Sequence, residues 1–196
     1  MIQNLLIPTV TTQSPNGGER LIDIFSKLVD DRIILISGPI DTTTAATTIA
    51  QLLYLDSKDS SAPIQIYINS PGGSVSDGLA IYDTMQHIKS ETSTICVGLA
   101  ASMGAILLSG GTKGKRYILK NGEVMIHQPL GGTGAHTQAS DIEICAQHIL
   151  KTKQKLNSIL SENCGKTIKE VTLATDRDYF MSSEEAIAFG IVDKII

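Results

Sequence analysis

Ile64-Gln-Ile-Tyr-Ile-Asn-Ser-Pro-Gly-Gly73 and Thr94-Ile-Cys-Val-Gly-Leu-Ala-Ala-Ser-Met-Gly104 are two versions of one pattern. Each starts as a short β-branched, apolar run, passes through small residues and enters a helical stretch. The first copy reads as a strand at Ile64–Ile68, a tight turn at Ser70-Pro71-Gly72-Gly73 and a helix at Val75–Ile88. The second reads as a strand at Ile95–Val97, a glycine turn at Gly98–Ala101 and a short helix at Ser102–Leu108. Strand, glycine turn and helix in alternation predict an α/β fold.

The pattern extends in both directions. Leu21, Ile24, Phe25 and Leu28 keep helical spacing, and Arg32–Ile36 reads as a strand closed by Ser37-Gly38-Pro39. Asp41 is placed to cap a helix running to about Tyr54. After the second copy come short strands at Arg116–Leu119 and Glu123–Ile126. The longest helix is expected over Asp141–Leu160, with Ile142, Cys145, Ile149, Leu156 and Leu160 on one face. Such a face either crosses the core or extends out to meet another subunit, and periodicity does not separate the two. Two short helices, Thr167–Leu173 and Ser182–Phe189, and a terminal strand at Ile191–Ile195 complete the reading. Gln13-Ser-Pro-Asn-Gly-Gly18 is a turn-forming cluster, so residues 1–18 are expected to be a flexible terminal arm and 19–196 a single domain.

With 196 residues, 42% of them hydrophobic and 18% charged, the chain has the composition of a folded domain. Sixteen Lys and Arg against twenty Asp and Glu give a net charge of -4, and the scattered charges form no nucleic-acid footprint. Thr92–Thr112 is uncharged and long enough for a bilayer helix, but Gly98, Gly104, Gly110 and Gly111 break it into a buried strand and a buried helix, so no membrane span is expected. The start, MIQNLLIPTV, lacks a charged n-region and a long apolar run, and three cysteines without a C-x-x-C suggest neither disulfides nor zinc. A cytoplasmic protein is the expectation. There is no H-E-x-x-H, no phosphate-cradling glycine motif and no visible cofactor site.

Ser102 lies among small residues at a strand-to-helix junction, where a sharp turn can lift a hydroxyl out beside unpaired helix N–H groups. The same position suits a plain helix cap. His127 follows a strand and precedes Gln128-Pro129, a position that can point an imidazole into a cleft or hold a structural histidine. Asp176 and Asp178 are both available to orient that imidazole, and both are equally suited to capping or to pairing with Arg177. The Ser70–Gly73 turn offers backbone N–H groups that, with that of Met103, can form an oxyanion hole.

Longer motifs decide among these alternatives. Tyr67-Ile-Asn-Ser-Pro-Gly-Gly73, Gly78-Leu-Ala-Ile-Tyr-Asp-Thr-Met-Gln86, Thr94 to Gly104 and Met125-Ile-His-Gln-Pro-Leu-Gly-Gly132 closely resemble the ClpP family, the proteolytic subunits of the Clp protease. The resemblance continues through Gln138–Ile144, Asp176–Ser182 and Glu185–Asp193, almost the whole chain. It implies a serine endopeptidase with Ser102 as nucleophile, His127 as general base and then general acid, and Asp178 as orienting carboxylate. Asp178 is preferred to Asp176 because the family motif is Arg-Asp, then any residue, then Phe or Tyr. Gly73 and Met103 would supply the oxyanion hole.

The resemblance further implies a crotonase-like superhelix of strand–strand–helix units with a long handle helix at about 138–162. Two stacked seven-membered rings would enclose the active sites, with Asp176, Arg177 and Glu143 linked to oligomerisation. An AAA+ Clp ATPase would use the ATP and feed unfolded polypeptides past the axial segment 1–18, so this chain itself would need no cofactor. Tyr67, Ile95, Val97 and Tyr117 would line the ATPase-docking pocket. The chain departs from the family in a longer loop at Gly131–Ser140, and in Gln65 and His87 where aromatics are usual. These departures suggest a divergent paralogue working in mixed rings, or a weakly active or structural ring subunit. A crotonase-like acyl-CoA enzyme shares the fold but needs no Ser-His-Asp triad.

Overall fold

The computed structural model describes residues 7–13 and 17–196. Its core is a seven-stranded sheet. Strand β3 (Ile33–Ser37), β4 (Ile64–Ser70), β5 (Thr92–Ala101) and β6 (Arg116–Ile118) lie side by side and parallel, and β9 (Lys194–Ile195) adds to β6. The crossovers are helix α2 (Thr42–Lys58), α3 (Val75–His87) and α4 (Met103–Ser109), as parallel pairing requires. Strand β7 (Glu123–Ile126) pairs with the end of β5 and with β8 (Tyr179–Met181). The architecture is α/β.

Alternation in β4 buries Ile64, Ile66 and Ile68 against the helices, while Gln65 and Asn69 face outward. Asp41 caps α2 by accepting from the Thr44 N–H at 2.8 Å. The uncharged segment Thr92–Thr112 is β5 followed by α4, and no helix among the described residues is long and apolar enough to cross a membrane.

Gly98–Ala101 is not a turn. Strand β5 runs through it: β4 advances from Ile68 to Ser70 while β5 advances from Cys96 to Ala100, a bulge with Gly98 at φ 84°. The Asn69 side chain fills the gap by accepting from the Leu99 N–H at 3.3 Å. Before the bulge β5 pairs with β6, and after it with β7.

Leu21, expected to open a helix, belongs instead to strand β2 (Glu19–Asp23), which pairs antiparallel with β1 (Thr9–Gln13). The Asp23 carboxylate then caps helix α1 (Ile24–Asp30), so the helical spacing that includes Leu21 is coincidental. Residues 1–6 and 14–16 of the expected arm lie outside the described residues. Helix α5 (Ala139–Cys164) buries only Leu156, Asn157 and Leu160, leaving Ile142, Ile144 and Leu150 exposed. Its first half therefore extends away from the core. Helix α6 (Ile168–Ala174) and helix α7 (Ser183–Phe189) both begin with a capping box.

Arg116, 5% exposed, ties the C-terminal segment down. Its guanidinium makes two bonds to Asp193, at 3.0 and 2.6 Å, and donates to the carbonyls of Asn163 and Ser109, while its backbone N–H also donates to Asp193 at 3.0 Å. Burial raises the Asp193 carboxyl, but the hydrogen bonds from Arg116 and Gly114 outweigh it and hold the group below the ordinary carboxylate range. A depressed value means that this stabilisation is present above the unfolded value, about 3.9. It is lost as pH falls through the lower folded value. Arg116→Met takes the guanidinium from a partly buried carboxylate, which keeps only the backbone N–H donors of Gly114 and position 116, and is expected to cost about 3 kcal/mol at pH 7. Each kcal/mol corresponds to about 2–4 °C in a chain of this length. Thermal melts of both proteins from pH 7 to pH 3 check this, and the difference between them should shrink below about pH 4.

Candidate active site

Ser102 joins β5 to α4 with φ 55° and ψ −120°. A non-glycine residue there is strained by about 1–3 kcal/mol. The turn is held from both sides: the Ser102 N–H donates to the Met125 carbonyl at 2.8 Å, and its own carbonyl accepts from Ala105 at 3.0 Å and Ile106 at 3.2 Å. Its side chain caps nothing in α4. The hydroxyl is instead 2.9 Å from His127 Nε2.

His127 leaves the end of β7 with its side chain 14% exposed, and its Nδ1 lies 3.1 Å from Asp178 Oδ1. An Nδ1–H donated to the carboxylate leaves the Nε2 lone pair facing the serine hydroxyl, the tautomer a general base needs. The β7/β8 register pairs Ile126 with Tyr179, so one further step sets His127 opposite Asp178. The structure thus brings Ser102, His127 and Asp178 into one hydrogen-bonded line. Asp176 is turned elsewhere, with its carboxylate 3.7 Å from Lys153 Nζ.

Two backbone donors adjoin the serine. Gly73 forms a parallel bridge with Ile40 in which Ile40 donates to Gly72 at 2.9 Å and Ser74 donates to Ile40 at 2.8 Å. Those bonds do not use the Gly73 N–H. Met103 is the first residue of α4, where helical geometry leaves the amide unpaired. Both residues line a cavity of about 230 Å³ with Ser102 and His127, whose walls include Ile106, Leu130 and Leu160. It continues past Val75 and Pro129 into a groove along α5. Burial pushes the Cys96 thiol up to about 12 and that of Cys164 to about 11, so neither is a thiolate at neutral pH.

The remaining candidates lie away from this line. Tyr67, Ile95 and Tyr117 are in register across β4, β5 and β6, and Val97 follows Ile95 on the same side of the strand. Arg177 and Glu143 are exposed. Glu143 is on the outer half of α5, accepting from Gln147 at 3.3 Å, and Arg177 donates weakly to the Asp176 carbonyl at 3.5 Å. The sequence reading missed Asn69, strand β8, and the pair Gln128 and Lys153, which hydrogen-bond at 2.9 Å. Glutamine and lysine carry no chemical signature, and only the fold brings these two together.

Gly72 packs tightly against Ser102. A Cβ there would lie 2.6 Å from Ser102 Cβ and 2.8 Å from the Ala101 carbonyl, at φ +92°. Gly72→Ala is expected to slow fluorophosphonate labelling of Ser102 by at least about 100-fold, the scale of a 1 Å misplacement. Labelling kinetics alongside circular dichroism check that the loss exceeds any loss of fold.

The Clp protease family model matches residues 16–196. ATP-dependent Clp protease proteolytic subunits from Streptococcus pyogenes serotype M5 (strain Manfredo), serotype M49 (strain NZ131) and serotype M1 are each 52% identical to this chain over 191 residues, covering 97% of it and 97% of each relative. A match of this extent, on a chain whose serine, histidine and aspartate are already in line, shows that the protein belongs to the Clp protease family.

Proposed function

We propose that this chain is the proteolytic subunit of an ATP-dependent Clp protease, a serine endopeptidase that cuts unfolded polypeptides into short peptides. The observation that carries the reading is His127, 2.9 Å from Ser102 Oγ and 3.1 Å from Asp178. Ser102 Oγ attacks the scissile carbonyl while its proton passes to His127 Nε2, and Asp178 stabilises the imidazolium. The N–H groups of Gly73 and Met103 hold the oxyanion, each donor being worth about 10²–10³ in rate. The imidazolium returns the proton to the leaving amine. Water, deprotonated by His127, then cleaves the acyl-enzyme. The apolar cavity beside Ser102 receives the side chain before the scissile bond.

Chemistry of this kind consumes no ATP and needs no cofactor, so ATP belongs to the partner. An AAA+ Clp ATPase docks on the in-register face Tyr67, Ile95, Val97 and Tyr117 and unfolds substrates for it. The chain works in the cytoplasm, with residues 1–18 at the axial entrance of two stacked heptameric rings. The exposed half of α5, together with Asp176, Arg177 and Glu143, serves ring assembly. Gln65 and His87, in place of aromatics, weaken the docking surface and favour mixed rings with a second paralogue. A purely structural ring subunit would have no need of an aligned triad, and a crotonase-like acyl-CoA enzyme no need of the serine and its base.

Intact-mass analysis after fluorophosphonate treatment tests this. One adduct is expected on the wild type and none on Ser102→Ala. Short peptides should be cut without ATP, folded proteins only with an ATPase partner. Labelling that requires a second paralogue would assign the chain to mixed rings, and no labelling in either condition would assign it a structural role.

A further inference from the structure

The β7/β8 ladder ends at Ile126 and Tyr179, one residue short of the base and its carboxylate. Beyond it Pro129 has no N–H to continue the pairing. Asp178 is 61% exposed, and among the described residues its carboxylate has one hydrogen-bond partner, His127. Backbone pairing and local side-chain bonds therefore leave the far end of the triad loosely held.

Side chains take over where the ladder stops. Gln128, next to His127, donates from Nε2 to the Asp176 carbonyl at 2.7 Å, bridging the segments that carry the base and the carboxylate. Its Oε1 accepts from Lys153 Nζ at 2.9 Å, and the same ammonium lies 3.7 Å from Asp176 Oδ1. Lys153 is in the middle of α5 and only 19% exposed, so its charge is screened less than that of a surface lysine. Since an ammonium only donates, its contact forces the Gln128 amide to present oxygen to Lys153 and nitrogen to Asp176.

We infer that Lys153 is a positioning residue for the triad: through Gln128 and Asp176 it closes the open end of the β7/β8 ladder and sets the distance between His127 and Asp178. It touches neither substrate nor reacting atoms. The inference rests on the peptidase reading above and adds to it a device within a single subunit.

The test is steady-state cleavage of a short fluorogenic peptide by Lys153→Met, Lys153→Arg and the wild type, with sedimentation velocity on each. Lys153→Met is expected to lower kcat about 10- to 100-fold while KM stays within about twofold, and Lys153→Arg, which keeps the donor, recovers most of the loss. In an Asp178→Asn background, adding Lys153→Met should change the fluorophosphonate labelling rate by less than about twofold, because the group it positions is already gone. The inference is overturned by an unchanged kcat in Lys153→Met, by a loss that recurs in full beside Asp178→Asn, or by a loss that appears only with a smaller assembly. An inactive wild type would defeat the peptidase reading itself, whereas an active wild type with an indifferent Lys153→Met defeats only the clamp.

Discussion

The pairing of β5 determines where everything else in the molecule sits. For its first half β5 is an ordinary central parallel strand between β4 and β6. At Gly98 it bulges, Asn69 takes the Leu99 N–H released from the ladder, and the strand changes partner to β7. Because His127 directly follows β7 and Ser102 directly follows β5, this change brings the serine hydroxyl and the imidazole within hydrogen-bond distance. A bulge at this point is thus part of the site, in keeping with the way bulges re-aim strands beside active sites.

Holding the serine at positive φ opposes folding by about 1–3 kcal/mol. The opposing terms are larger. All seven residues of α4, Met103–Ser109, are buried, and each large apolar side chain among them contributes about 1.5–3 kcal/mol of burial. The buried helix fixes one side of the turn and the Ser102-to-Met125 hydrogen bond the other. The strained serine end of the Ser102–His127–Asp178 line is therefore the rigid end. The carboxylate end is the exposed one, where position depends on the short β8 and on side-chain bonds around Gln128.

Much of this was legible in the sequence because it depends on local periodicity and local turn chemistry. The β4 strand, the cap at Asp41 and the positions of α3 and α4 follow from neighbouring residues alone. Ser102 and His127 stood out through their small and strand-end surroundings, and family motifs separated Asp178 from Asp176. The bulge at Gly98 was read as a turn because a glycine flanked by apolar residues looks the same in either. Strand β8 was missed because Tyr179-Phe-Met181 is too short to show a period and owes its pairing entirely to β7.

By itself the sequence determined the alternation of strands and helices and the apolar core, since near-neighbour spacing carries that information, while its family motifs pointed to Ser102, His127 and Asp178. Only the tertiary structure decided that β5 bulges at Gly98 and changes partner to β7, how closely Ser102 and Asp178 approach His127, and that the first half of α5 stands clear of the core. It also decided that Lys153 and Gln128 stand behind the site. These are distances between segments far apart in the chain. They are set by strand register and by which face each helix buries, quantities that a linear pattern does not contain.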